Sequence, residues 1–266
     1  FLTAIGLIHG MAGTLPLAEL PGRLEDADPT TVTAVSLLLL GSLGAKAGRF
    51  PVFFWLPAAY HTPPTAVTAI FAALMTKAGI YAIFRIFSLV FPDGLAWDLL
   101  WPIAIATMVV GVIGAAAQKE VHRVLSFHIV SQIGYVALGL AIATPLAVMG
   151  AIIYLLHNIV VKANLILIAG IARRRTGSDA LHKSGGLYAA MPGLAVLFFI
   201  AAIAMAGIPP LSGFWGKLAL TQASLADGAW IAVVAILGVG LFTLFSMTKI
   251  WTQGWLADHP QGRLRR

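Results

Sequence analysis

Apolar stretches close to the ~20 residues that cross a lipid bilayer recur along the whole chain, separated by short polar connections. They fall at about 1–15, 31–48, 66–87, 99–117, 124–143, 147–171, 191–220 and 229–250. Of the 266 residues, 59% are hydrophobic and only 10% charged, with mean hydropathy +0.92. A soluble globular domain carries roughly 25% charged residues, so a soluble fold of this size would expose an aggregating surface. Lipid must therefore solvate most of the chain, and only helices that satisfy their own backbone can span it here. The expected fold class is all-α and polytopic, with about eight transmembrane helices.

The connections carry a sidedness. Loop 16–30 holds Glu19, Glu25, Asp26 and Asp28 against Arg23; loop 88–98 holds Asp93 and Asp98; loop 221–228 holds Asp227. The alternate connections are basic: Lys119 and Arg123 against Glu120, then Arg173, Arg174, Arg175 and Lys183 against Asp179, and finally Arg263, Arg265 and Arg266. By the positive-inside rule, both ends are expected on the cytoplasmic side of a bacterial inner membrane, with Arg85 the one poor fit. The net charge of +7 is thereby explained by topology, and no nucleic-acid partner is expected. There are no cysteines, which excludes disulfides and thiolate chemistry. No Walker, dinucleotide or metal motif occurs, and no connection is long enough for a soluble catalytic domain. The opening "FLTAIGLIHG" has neither an initiator Met nor a signal sequence, so the chain reads as a piece of a longer polypeptide.

Charge inside the apolar stretches is the next constraint. Lys46, Lys77, Lys162, Lys217 and Lys249 lie within or at the edge of one, whereas all ten acids lie in loops or at span ends. A lysine at a helix centre costs about 2.5–3.5 kcal/mol on insertion scales. Snorkelling to the headgroups accounts for Lys249 and is adequate for Lys46, but not for Lys77 or Lys162 near mid-span. Polar neighbours follow helical spacing: Tyr154, Asn158 and Lys162; His128, Ser131, Gln132 and Tyr135; Lys77, Tyr81 and Arg85. Single polar residues glue helices together. Three stripes with buried bases predict a hydrated path, on which lysines and the histidines His128 and His157 pass protons. His157 is equally read as a neutral histidine bonded to a carbonyl, His9 as structural, and Trp55 and Trp215 as packing or interface residues.

The stretch "IAMAGIPPLSGFWGK" ends at Lys217 and breaks an apolar run too long for one straight crossing. Pro209 and Pro210 remove backbone donors, and Gly207 and Gly213 loosen the chain. The freed carbonyls must be buried in protein or line water. Lys46 precedes a similar run of Pro51, Pro57, Pro63 and Pro64. Two lysine-adjacent interruptions predict discontinuous helices in a repeated, ion-handling architecture.

These residues carry a resemblance. "KAGRFPVFFWLPAAYHTPPTAVTAIFAALMTKAGIYAIFRI", "HRVLSFHIVSQIGYVALGL", "YLLHNIVVKANLILIAG" and "AMAGIPPLSGFWGK" resemble the antiporter-like membrane subunits of respiratory complex I and of multi-subunit Mrp-type Na+/H+ antiporters. "LLHNIVVKANLILIAG" looks most similar to the Mrp D-type subunit. The resemblance implies a fourteen-helix inverted-repeat fold, of which residues 1–98 would end the first unit, 99–250 form the second, and 251–266 begin a cytoplasmic tail. It implies that Lys46 is the lysine of the first broken helix, Lys77 that of the next helix, Lys162 the central relay lysine beside His157, and Lys217 the lysine of the second broken helix. A glutamate partner for Lys46 would lie upstream of Phe1. Ala58 stands where many relatives have Asp, which puts a role for that loop carboxylate in doubt.

The expectation is a proton-translocating subunit of a cation antiporter, moving H+ and Na+ with other membrane subunits as partners, in a lipid bilayer, without a cofactor. The alternative is a proton-pumping subunit of complex I or a membrane-bound hydrogenase. A non-conducting scaffold, and a redox subunit binding quinone or haem, are the readings from other classes.

Overall fold

The computed structural model describes residues 1–60 and 62–258. His61 and the arginines of the tail, Arg263, Arg265 and Arg266, lie outside the described residues. Among those described, helices account for nearly all regular structure, and the one β-bridge pairs Glu120 with Ala180. In chain order the α-helices are α1 (Leu2–Ala12), α2 (Leu20–Leu24), α3 (Pro29–Ala47), α4 (Trp55–Ala59), α5 (Thr65–Ile70), α6 (Thr76–Leu89), α7 (Leu95–Asp98), α8 (Leu100–Ala117), α9 (Val121–Ile142), α10 (Pro145–Thr176), α11 (Leu187–Ala190), α12 (Pro192–Ala206), α13 (Ser212–Ala226) and α14 (Trp230–Ile250). A π-helical turn, Phe71–Met75, joins α5 to α6, and a second, Trp251–Leu256, extends α14.

Six continuous helical stretches are long and apolar enough to cross a membrane: Pro29–Ala47, Thr65–Leu89, Leu95–Ala117, Val121–Ile142, Pro145–Thr176 and Trp230–Leu256. The helix starts follow local chemistry. Asp28 caps α3 by accepting the Thr31 N–H at 2.9 Å, and Thr144 caps α10 by accepting that of Ala147 at 3.3 Å. Each cap is followed by a proline at the first helical position, where the missing N–H costs nothing.

The expected interruption at 191–220 is present: α12 stops at Ala206 and α13 restarts at Ser212, running on to Ala226. The second interruption follows Lys46. There α3 ends at Gly48, whose φ of 75° is left-handed, and the chain turns through the short helix α4 before α5 begins.

The helices pack around α9, which touches α4, α6, α8, α10, α13 and α14 and is buried on every side. Close approach depends on glycine. A Cβ at Gly111 of α8 would meet the Ser131 backbone, and one at Gly134 of α9 would meet Met108 N at 2.6 Å. Gly150 does the same for α10 against α13, facing the Ala219 side chain. Small residues let backbones approach where lipid supplies no hydrophobic drive between helices.

Candidate functional site

The α12–α13 break exposes two carbonyls by a specific subtraction. In a continuous helix, Met205 O and Ala206 O would accept from the N–H groups four residues on. Those residues are Pro209 and Pro210, which have none. Gly207 closes α12 in the left-handed region at φ 89°, and its N–H and that of Ile208 return to Ile203 and Ala204. The lysine on the second turn of α13 takes what is left: Lys217 Nζ donates to Ala206 O at 2.7 Å and to Met205 O at 3.2 Å. The ammonium also lies 5.1 Å from the Tyr135 ring centroid and 5.9 Å from that of Tyr154, within cation–π range.

Lys77 and Lys162 are held in the same way. Lys77 Nζ donates at 2.6 Å to Ala72 O, a carbonyl in the π-turn that precedes its helix. Lys162 Nζ donates at 3.3 Å to Leu125 O, across from α10 to α9. Relative exposure is 6% for Lys77, 0% for Lys162 and 7% for Lys217. None of the three makes an ion pair among the described residues. Three buried ammonium groups thus rest on neutral partners, backbone carbonyls in each case with two tyrosine rings added at Lys217, which leaves their charge poorly compensated.

Polar side chains fill the ground between them. Tyr154 OH donates to Gln132 Oε1, and Asn158 Nδ2 donates to the Tyr154 carbonyl at 2.7 Å. His128 Nε2 meets Ser246 Oγ at 2.6 Å. Ser246 Oγ also lies within hydrogen-bond distance of the Phe242 and Thr243 carbonyls, at 2.9 and 3.1 Å. His157 Nδ1 meets Ser212 Oγ at 2.8 Å at the start of α13. Four buried atoms of this network have no protein partner: His128 Nδ1, Gln132 Nε2, Asn158 Oδ1 and His157 Nε2. An unmatched buried polar atom costs about 1–3 kcal/mol. Groups that both donate and accept, lying between buried bases, are what proton transfer requires.

Two of the three stripes read from spacing meet at Tyr154 of α10, which contacts Gln132 and Tyr135 of α9, and every member of both is buried. Within the second stripe, Ser131 and Tyr135 act as helix glue, bonding the carbonyls of Met108 and Ile236. The third stripe does not hold. Lys77 points inward, but Tyr81 and Arg85 are exposed and line an outward groove of about 330 Å³ with Phe84, Val136 and Leu155. Lys46 stands apart too, its side chain exposed on the last turn of α3. Lys249 does not snorkel: its Nζ donates to Ala116 O at 3.1 Å and Gln118 O at 2.7 Å, closing the carbonyl end of α8. His157 bonds a hydroxyl rather than a carbonyl. His9 and Trp215 are exposed, and Trp55 donates to Ala45 O at 2.8 Å.

Sequence reasoning misses three features. Arg49 is buried, with one guanidinium nitrogen on Leu40 O at 2.5 Å and its Nε and Nη1 unpartnered. It follows the end of a span and so escapes a count of intramembrane charges, although "KAGRFP" places it beside Lys46. The hydroxyls of Ser212 and Ser246, which hold the two histidines, give no spacing signal. The loops read as topology anchors also hold a half-buried pair, His122 Nδ1 to Asp179 Oδ1 at 2.5 Å.

Comparison with known proteins places the family and the fold. A family model described as "NADH:quinone oxidoreductase/Mrp antiporter, TM" matches residues 1–243. The chain is 45% identical over 254 residues to the D-type subunit of the Na(+)/H(+) antiporter of Alkalihalophilus pseudofirmus, covering 94% of this chain and 52% of that protein. Its fold matches a chain of the Mrp complex from Dietzia sp. DQ12-45-1b with TM-score 0.93 and 40% identity, over 99% of this chain and 49% of that one. It matches a chain of respiratory complex I from Thermus thermophilus with TM-score 0.87 and 27% identity, over 100% of this chain and 57% of that one. The chain thus spans about half the length of the relatives it matches. With helices long enough to cross a bilayer, lysines buried among them and a match over most of its length, this chain belongs to the NADH:quinone oxidoreductase/Mrp antiporter transmembrane family.

Proposed function

We propose that this chain forms the proton-translocating part of a D-type subunit in a multi-subunit Na+/H+ antiporter of a bacterial inner membrane. Protons pass along Lys77, Lys162 and Lys217, with His128 and His157 as intermediate carriers. Lys46 serves at the entry side, where its exposed position leaves it open to a partner group. Residues 1–98 close one repeat unit and 99–250 form the next. Both ends face the cytoplasm, and other membrane subunits are the partners. The chain holds no redox role of its own in this reading.

The single observation that carries the proposal is the solvation of Lys77, Lys162 and Lys217 by neutral groups, with backbone carbonyls as their hydrogen-bond acceptors and no ion pair among the described residues. A carboxylate beside each would lock the ammonium in place. Weak, neutral acceptors leave each lysine able to release its proton when a neighbouring charge moves. The unmatched atoms of His128, Gln132, Asn158 and His157 support a hydrated route between them. The 45% identity to an antiporter subunit, against 27% to a complex I chain, favours the antiporter context.

The test uses everted vesicles from cells carrying the full-length protein. Lys162→Ala and Lys217→Ala should leave the complex assembled and abolish Na+-dependent dissipation of a pH gradient. Loss of assembly together with transport would favour a scaffold instead. Co-purifying flavin and iron–sulfur absorbance would move the chain to a redox-driven complex.

A further inference from the structure

The seat that holds the Lys217 ammonium is built like a site for a bare monovalent cation. Its oxygens are Met205 O and Ala206 O, the carbonyls whose amide partners Pro209 and Pro210 cannot supply. They close α12, a helix of 15 residues, so the negative end of its dipole points at the same spot. The rings of Tyr135 and Tyr154 add their negative faces at 5.1 and 5.9 Å. Two glycines keep the space clear. A Cβ at Gly207 would come within 3.2 Å of Nζ, and one at Gly240 would lie 3.9 Å from Nζ and 4.0 Å from Ala206 O.

We infer that Na+ and the Lys217 ammonium compete for the Met205–Ala206 carbonyl pair, so that the α12–α13 break is an alkali-cation site as well as a proton station. This deepens the function proposed above and rests on Lys217 as a proton carrier. Neutral oxygens favour a monovalent ion, because divalent cations draw on carboxylates and α9, α10, α12, α13 and α14 contain no acid. Unwound carbonyls and half-helix C-termini are the ligands that interrupted membrane helices offer to Na+. Two like charges cannot share one carbonyl pair. A Na+ ion takes the oxygens when the ammonium has given up its proton or swung aside, and reprotonated Lys217 expels it. Exchange of one cation for the other then needs no moving acid.

Equilibrium binding of 22Na+ to the purified full-length complex tests the competition, with choline chloride holding ionic strength constant. Lys217→Met removes the internal competitor while keeping a side chain of similar reach. It should reveal a saturable Na+ site whose half-saturation lies at least about tenfold below any seen at this position in the wild type. Adding Gly240→Val, which sets branched carbons beside the seat, should remove that site again. Lys217→Leu repeats the measurement in case the Met variant assembles poorly. An assembled Lys217 variant that gains no Na+ site, or one whose gain survives Gly240→Val, overturns the shared seat. The relay reading fails separately: it is lost if Lys217→Met still carries protons in vesicles, whatever its Na+ binding.

Discussion

At Gly79, a side chain of any size would strike backbone. A Cβ there would lie 2.7 Å from Ala47 N, 2.9 Å from Ala47 Cα and 3.0 Å from the Lys46 carbonyl carbon. The glycine therefore sets how closely α6, with Lys77, lies against the end of α3, with Lys46. Neither helix can yield as a flexible side chain would, so Gly79→Ala should destabilise the protein by about 1–3 kcal/mol, the range for overpacking. Gly238 of α14 has nothing within 4 Å of a built Cβ. There the same substitution should stabilise by roughly 0.5–1 kcal/mol through helix propensity. Thermal unfolding of the two purified variants checks the opposite signs. At this scale the sequence reveals that lysines are buried, because insertion cost is a property of each residue. It cannot reveal which way each points. From Lys77, four residues rotate the helix by about 40° beyond a whole turn and eight by about 80°, and Tyr81 and Arg85 thereby reach the outer surface. The same rotation is harmless on α10, where Tyr154, Asn158 and Lys162 are covered by both α9 and α13.

Among the elements, α9 is positioned from outside itself. Its N-cap residue Glu120 makes no side-chain cap. Asp179, beyond the end of α10, takes over instead: its carbonyl accepts the Val121 N–H at 3.0 Å and its carboxylate accepts the His122 N–H at 3.2 Å. The same carboxylate holds the His122 ring at 2.5 Å. The segment after α10 is thereby pinned to the start of α9, one turn before the Leu125 carbonyl that accepts from Lys162. Asp179→Asn weakens the negative charge at the helix N-terminus and the ring contact together. The expected loss is about 1–2 kcal/mol, read as faster hydrogen exchange confined to the first turns of α9. Uniformly unchanged exchange there would remove the pin from this account. Such a clasp is not legible in the sequence, where 118–123 and 172–190 are distinguished only by net charge. Breaks are legible, because Gly207, Pro209 and Pro210 act on their own backbone and need no partner to do so.

Over the whole molecule, polarity runs opposite to that of a soluble bundle, and α14 displays it most plainly. Trp230, Ile231, Val234, Leu237, Leu241 and Phe245 form an exposed apolar stripe at helical spacing, while Thr243 and Ser246 turn inward with Gly240. The interior holds the hydrogen-bonded groups and the surface holds the hydrocarbon, as lipid solvation demands. Leu241 lies near the middle of α14 and is 68% exposed, so its substituent is tested against the surrounding membrane rather than against the core. Leu241→Arg should cost about 2.5–3.5 kcal/mol of insertion free energy, whereas Leu241→Ala, which removes only apolar surface, should be tolerated. The membrane-inserted fraction of the full-length protein after alkaline extraction distinguishes them. Equal insertion of the two variants would mean that this face meets water, and the lipid-facing assignment of α14 would then be wrong.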